Sequence, residues 1–443
     1  MNTVKVDFSK TVGKMKPMHA VNNGPVGGGV RAIKGNFQLY QDLKIPYARL
    51  HDASFFSSYG GEWSVDVHRI FCDFDADEND PASYDFVPTD GYLQRIQAAG
   101  TQVFYRLGAS IEHGKKKGTF PPKDYAKWAR ICEHIILHYN EGWANGFHMG
   151  IKYWEIWNEP DCKNADGSNP CWQGTEEEFF EFFKTAAKYL KGKFPDLKIG
   201  GPAVCFLGSG FADRFLPYCR AYGVPLDFFS YHCYTNRLEK FSYIVDEFKQ
   251  KLTENGYGKA ETILNEWNYV RGWLGEEMEY SFASEKGLKG SSFVAGAMAI
   301  GQARELDMLM YYDARPSGMN GIWATETYRP LKTYFVLKAF SELYEMGTNV
   351  QSQATDGLYA VAATDGKTSG VLITYYDEDD SKAAKEVKVC IQNAVNGDRV
   401  KAEYFLVDEN NDLKLLREEI FTANEFAAYL PMTLHSTYYI RLS

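Results

Sequence analysis

Residues 153–160 read Tyr153-Trp154-Glu155-Ile156-Trp157-Asn158-Glu159-Pro160. The run is short, apolar and aromatic, as a buried strand should be, and a carboxylate stands at its C-terminal end. Seven other short apolar runs precede or follow it: Met18–Val21, Pro46–His51, Gln102–Leu107, Leu197–Gly200, Asp227–His232, Thr262–Glu266 and Met308–Asp313. Amphipathic helical stretches separate them. The clearest is Lys123–Tyr139, where Trp128, Ile131, Cys132, Ile135, Ile136 and Tyr139 share one face. Pro121-Pro122 stands at its start, where a missing N–H is harmless. Thr175-Glu176-Glu177-Glu178 is a capping box opening the next helix. Further helices are expected at Thr89–Ala99, Gly210–Tyr222, Leu238–Asn255, Lys286–Glu305 and Pro330–Glu345.

Eight strands alternating with helices predict an α/β fold, a closed parallel (β/α)8 TIM barrel over residues 16–345. After Glu345 the pattern changes. Leu358–Thr364, Val371–Tyr376, Glu386–Ile391, Val400–Val407, Leu413–Arg417 and Tyr438–Leu442 read as strands, with turns such as Asp365-Gly366 and Asn396-Gly397-Asp398 between them. This spacing predicts a C-terminal antiparallel β-sandwich domain over 346–443, which the alternating N-terminal strand in 1–15 would join.

The catalytic chemistry of such a barrel lies at the C-terminal ends of its strands. The seventh strand reads Ile263-Leu264-Asn265-Glu266-Trp267-Asn268. It faces the fourth across the mouth, so Glu266 and Glu159 can converge. Two facing carboxylates are what glycoside hydrolysis requires: one protonates the leaving oxygen, the other attacks or activates water. Arg49 and His51 close the second strand, and His232 and Tyr234 the sixth. A cation beside Glu266 would hold it ionised, and a Tyr or His would orient it. Glu155 lies inside its strand and is expected to form an ion pair in the barrel interior.

Composition narrows the partners. The chain has 443 residues, and 48 Lys+Arg against 58 Asp+Glu give a net charge of −10, which disfavours nucleic acid and anionic membranes. No run approaches 18 apolar residues, so no membrane insertion is expected. Met1–Lys16 lacks a signal-peptide apolar core, which fits either a cytoplasmic protein or one whose leader was removed. Aromatic residues make up 15%; most should fill the core, and some can stack on the apolar faces of sugars. The eight cysteines form no C-x-x-C pair, so no metal site is expected from them. Cys162 and Cys171 flank a polar loop and could bridge in an oxidising compartment. His134 and His138 sit four apart on a helix, but without H-E-x-x-H around them they read as a solvated helix edge. Gly27-Gly28-Gly29 lacks the dinucleotide and P-loop spacings and reads as a loop.

The landmarks also resemble a known family. Trp154-Glu155-Ile156-Trp157-Asn158-Glu159-Pro160 is similar to the acid/base motif of the clan A retaining glycoside hydrolases. Arg49-Leu50-His51, Pro121-Pro122-Lys123-Asp124-Tyr125, Gly200-Gly201-Pro202-Ala203, Tyr231-His232-Cys233-Tyr234 and Asn265-Glu266 follow in the order seen in glycoside hydrolase family 39, which includes β-xylosidases and α-L-iduronidases. The resemblance implies that Glu159 is the acid/base, Glu266 the nucleophile, and Asn158 the partner of the sugar 2-hydroxyl. It implies a glycoside or oligosaccharide substrate and no cofactor. Leu50-His51-Asp52 stands where the family usually carries Gly-His-Gly, a departure that bears on the sugar pocket. A β-linked pentoside or related plant-glycan fragment is the expected substrate, with Tyr234, Trp267, Tyr311 or Tyr312 as an apolar floor. The alternatives are a uronide held by Arg271 or Arg315, and a non-catalytic carbohydrate-binding barrel. The sequence is compatible with a homo-oligomer.

Overall fold

The computed structural model describes residues 2–27, 35–51, 65–394 and 399–443. Gly28 and Gly29, Asp52 and the Asn396-Gly397-Asp398 turn lie outside the described residues. After a first strand, β1 (Asn2–Lys14), come β2 (Ala20–Asn22), β3 (Tyr47–Arg49), β4 (Gln102–Leu107), β5 (Tyr153–Ile156), β6 (Lys198–Val204), β7 (Phe228–Tyr234), β8 (Glu261–Asn268) and β9 (Met308–Tyr311). Strands β2 to β9 pair in sequence order, all parallel, and β9 pairs with β2 to close the barrel. Each of the eight predicted barrel strands is present.

The helices form where their ends are satisfied. Asp124 accepts the Lys127 amide at the start of helix 125–141, and Thr175 and Glu178 cap helix 176–193 reciprocally. The helix expected from Lys286 runs Leu288–Ala303, and a further helix, Gly275–Glu285, precedes it. His138 does not lie on a solvated edge. It is buried, stacks on Phe86, and bonds to Trp143 O and Asp90 Oδ1 at 2.9 and 3.0 Å.

Inside the barrel, side chains two residues apart on a strand point inward at successive heights. The lower part is apolar: Ala20, Phe104, Phe228, Ile263, Met308 and Met310 cluster there. The next is polar and centres on Arg49 and Glu155, both fully buried and joined at 2.7 Å. Arg49 also donates to Asn22 Oδ1 at 3.1 Å, and Glu155 accepts from Ser230 at 2.6 Å and from Asn265. The floor under the barrel mouth is therefore a hydrogen-bonded plate resting on an apolar plug.

The accessory domain comprises β10 (Thr348–Ala354), β11 (Leu358–Thr364), β12 (Ser369–Tyr375), β13 (Lys385–Gln392), β14 (Val400–Val407), β15 (Asp412–Phe421), β16 (Glu425–Met432) and β17 (Thr437–Leu442). With β1 they make one nine-stranded sheet in the order β15-β14-β17-β12-β11-β10-β1-β13-β16. All pairs are antiparallel except β1 with β13. Inward residues from both ends of this order, such as Tyr404 on β14 and Leu430 on β16, share one core, so the sheet curls round upon itself. Its other face, through Val361, Ala363, Leu372 and Tyr439, joins the core of the barrel. There β11 and β12 lie against the helices 288–303 and 332–346. Among the described residues no helix is long and apolar enough to cross a membrane.

Strand β1 contributes Val4, Val6 and Phe8 to the accessory core while bridging β10 and β13. Burying three such side chains is worth roughly 5–9 kcal/mol. Deleting residues 2–14 should therefore unfold or aggregate the accessory domain. A melting temperature for the truncated chain within a degree or two of the full chain would show that the sheet closes without β1.

Candidate active site

Four strand ends meet at the barrel mouth. On β7, regular alternation turns Phe228, Ser230, His232 and Tyr234 inward in ascending order. On β3, Tyr47 and Arg49 point inward, and His51 stands two residues further on. On β5 the strand ends in a turn with Trp157 at φ 76° and Glu159 at φ 46°. Such left-handed positions cost of order 1–3 kcal/mol each and need support from their surroundings. The Trp157 indole supplies it by donating to Cys171 O at 2.9 Å while packing on Trp128, Trp172 and Phe182. The Glu159 amide donates to Ala203 O at 3.0 Å, tying the turn to the end of β6.

Strand β8 carries a bulge. Tyr231 pairs with Leu264, but His232 pairs with Glu266, so Asn265 is the extra residue. A bulge of one residue exchanges the faces beyond it. Asn265 and Glu266 consequently both serve the interior, and Trp267 turns outward. This corrects the expectation that Trp267 floors the sugar site: its ring is fully buried against Phe241, Phe293 and Tyr311.

Glu266 is held on several sides. Tyr234 OH donates to its Oε1 at 2.6 Å, and Arg49 Nη1 donates to its Oε2 at 3.2 Å. His51 Nε2 and His232 Nε2 lie 3.3 and 3.5 Å from the same Oε2. Glu159 Oε1 meets His232 Nδ1 at 2.7 Å, and its Oε2 faces Cys171 Sγ at 3.8 Å. Glu159, His232 and Glu266 each present an atom within 4.8 Å of the others, so oxygens of the two carboxyls lie that close. Asn158 accepts from Arg49 Nη2 at 2.6 Å, which fixes its amide beside Glu159.

The environments of these groups differ. Burial, reinforced by Cys162, Glu266 and Asp161, holds Glu159 well above the usual carboxylate range. Burial, with the cation of Arg49 next, keeps His232 neutral far below the ordinary imidazole value. Tyr234 is pushed up by burial and then by the charge of Glu266, so it remains a hydrogen-bond donor. Arg49 stays charged despite burial because Glu155 and Glu266 hold its proton on.

The outer rim adds groups of its own. Tyr312 lies edge-on to His51 and Tyr234 at centroid distances of 5.6 and 6.4 Å. Tyr311 points away and bonds Asn268 and the Gly321 amide. Trp273 stands edge-on to Tyr234 at 4.9 Å and is 50% exposed. Its signal in the sequence is only a Trp after Gly272, five residues past the end of β8. Arg315 pairs with the buried Asp313 at 2.9 Å, and Arg271 grips Glu277 while lying over the Tyr280 ring. Cys162 and Cys171 are not joined by a disulfide.

The sequence model described as "Glycosyl hydrolases family 39" matches residues 2–298. The chain belongs to this family. A β-xylosidase of Geobacillus stearothermophilus is 29% identical over 180 residues, 39% of this chain and 32% of the relative. One of Caldicellulosiruptor saccharolyticus is 30% identical over 151 residues, 33% of this chain and 27% of that one. The matches thus span about a third of these relatives' own length. A glucosidase structure from Croceicoccus marinus shares the fold over 100% of this chain and 99% of its own, with a TM-score of 0.80 at 20% identity. The family 39 enzyme of Xanthomonas axonopodis pv. citri covers 100% and 97%, with a TM-score of 0.71 at 14% identity. These two likenesses concern the architecture.

In this family 39 chain, the raised pKa of Glu159 links the site to stability. The folded state retains a proton that the unfolded chain gives up. That contribution is complete below the unfolded Glu value, about 4.3, and is lost as pH rises toward the folded value. Glu159→Gln removes the titration. The melting temperature of the variant relative to the parent should therefore climb as pH rises above about 4.3. Parallel melting curves across pH would show that Glu159 carries no strained ionisation.

Proposed function

We propose that the chain is a retaining glycoside hydrolase acting on a β-linked pentoside. The observation that carries this is the pair Glu159 and Glu266, oxygens within 4.8 Å, in opposite electrostatic settings. Retaining glycosidases place their carboxyls about 5–5.5 Å apart, whereas inverting ones need roughly 6.5–9.5 Å to admit a water between them. Glu266, held by Arg49 and Tyr234, serves as the nucleophile. Its Oε1 and Oε2 are aimed by fixed donors, so little reorganisation is needed when it attacks the anomeric carbon. Glu159 keeps its proton through burial and passes it to the departing glycosidic oxygen. Neutral His232, 2.7 Å from Glu159, positions that carboxyl. In the second step ionised Glu159 takes a proton from water, which attacks the glycosyl-enzyme from the face the leaving group vacated. Configuration is thereby retained.

Asn158 turns its amide oxygen to Arg49, leaving its N–H2 end to donate to the sugar 2-hydroxyl, a bond that strengthens in the transition state. Tyr312 and Tyr234 offer ring edges and hydroxyls to the sugar. A uronide would need a guanidinium for its carboxylate. Arg315 and Arg271 are instead engaged with Asp313 and Glu277, which favours a neutral sugar. The β-xylosidase relatives agree with that preference.

Matched aryl β-xylosides, β-glucosides and α-iduronides test the substrate, with the xyloside expected to be turned over fastest. Glu266→Ala should abolish turnover, since no covalent intermediate forms. Glu159→Ala should spare substrates with good leaving groups, and azide should rescue its second step. Preference for the iduronide would overturn the sugar assignment, and an active Glu266→Ala would overturn the mechanism. Trp273, half exposed over Tyr234, is placed to stack on the aglycone or on a second sugar. Trp273→Ala should raise KM for a xylo-oligosaccharide about tenfold, the loss of roughly 1.4 kcal/mol of binding, with kcat little changed. An unchanged KM would remove it from the site.

A further inference from the structure

The thiols around Glu159 have no part in the reaction above, and their arrangement has a chemistry of its own. Cys162 follows Glu159 by one turn of chain, Cys171 closes the same loop, and Cys205 stands just beyond the end of β6. The loop folds back so that the Cys171 thiol points at Glu159 Oε2 from 3.8 Å. Cys162 Sγ, Cys205 Sγ and a Glu159 oxygen all lie within 4.8 Å of one another. The Cys205 amide donates to Asp161 Oδ1 at 2.8 Å, which locks the β6 end against this loop. The spacing in sequence, nine and then thirty-four residues, hides the group from any search for adjacent pairs.

We propose that Cys162, Cys171, Cys205 and Glu159 form a binding site for a thiophilic divalent cation, zinc or cadmium, and that its occupation switches the enzyme off. Three sulfurs and one carboxylate make a tetrahedral donor set of the kind zinc takes. With metal–sulfur bonds of about 2.3 Å, donors in a tetrahedron stand about 3.5–3.8 Å apart. The Cys171–Glu159 distance stands at the upper end of that range, and the Glu159, Cys162 and Cys205 atoms, within 4.8 Å of one another, need approach by no more than about 1.3 Å. Cys162 and Cys205 are only partly buried, so an ion can enter from solvent. Binding displaces the thiol protons and occupies the Glu159 oxygen with metal. An oxygen bound to the cation has no proton to give, so turnover stops while the ion stays. The binding rests on geometry alone; the inhibition rests on reading Glu159 as the acid.

The full chain, reduced with a phosphine and exchanged into clean buffer, is titrated with cadmium chloride. Thiolate-to-cadmium charge-transfer absorption reports binding, and turnover of an aryl glycoside reports function in the same samples. One equivalent of cadmium should bind, inhibit, and be released by EDTA with activity restored, while magnesium should do neither. Cys162→Ser/Cys205→Ser should raise the cadmium concentration needed for half-saturation by at least about 100-fold, the upper range for losing even an outer-shell partner. Cys72→Ser, altering an exposed thiol elsewhere, should leave the titration unchanged. Glu159→Gln should weaken the absorption titration, a readout independent of activity. Melting temperatures check that the variants fold, and Cys205→Ser alone serves if the double variant does not. Inhibition undiminished in the cysteine variants would overturn the site and move the ion to Glu159, His232 and Glu266. Cysteine-dependent absorption without inhibition would keep the site and overturn the acid role of Glu159.

Discussion

One buried guanidinium organises the barrel mouth. Arg49 rises from β3 and reaches β2 through Asn22, β5 through Glu155 and Asn158, and β8 through Glu266. Only arginine offers five donors in a rigid planar fork, so one side chain can fix four partners at once. Burying an ion costs several kcal/mol even after relaxation. That cost is offset because each of these contacts is charge-assisted or fully satisfied within a low-dielectric interior. The arrangement also settles how the charges are shared. Glu155 pairs with Arg49 in the plate below, and Glu266 meets the same guanidinium from above.

The two site carboxylates differ because their neighbours differ, and not because of anything intrinsic to glutamate. Glu266 sees a cation and a phenol hydroxyl. Glu159 sees thiols, a neutral imidazole and the other carboxylate. The 2.7 Å contact with His232 brings no positive charge, since burial, and then Arg49, keep that ring neutral. Two identical side chains with oxygens less than 5 Å apart thereby sit in different electrostatic surroundings.

Much of the fold could be read directly. The eight barrel strands are short apolar runs bounded by turns and helices, and burial on both faces makes that signal strong. The accessory domain was harder. Thr348–Ala354 is largely polar, because only Asn349 and Val350 are buried, and Glu425–Met432 contains Pro431 on an edge strand. The first lacks the apolar density that identifies a strand, and in the second the proline argues against one. Within the site, Arg49, His51, His232 and Tyr234 were legible because regular alternation governs β3 and β7. Trp267 was not, because a bulge is a backbone event with no residue signature at Asn265. The thiol cluster was illegible for a related reason: Cys171 and Cys205 meet Glu159 only through a long loop and a neighbouring strand end.

The position of β1 has a bearing on how the protein is made. Its partners β10 and β13 lie at the far end of the chain, with the whole barrel between. At about 5–20 residues per second, a ribosome needs on the order of half a minute to reach β10 after releasing β1. The barrel can close during that interval, but the first strand has nothing to pair with. A free strand is an invitation to stray association. Lys5, Asp7, Ser9 and Lys10 interrupt its apolar residues and keep that hazard low while it waits. The sheet thus joins a strand made before the barrel to strands made after it.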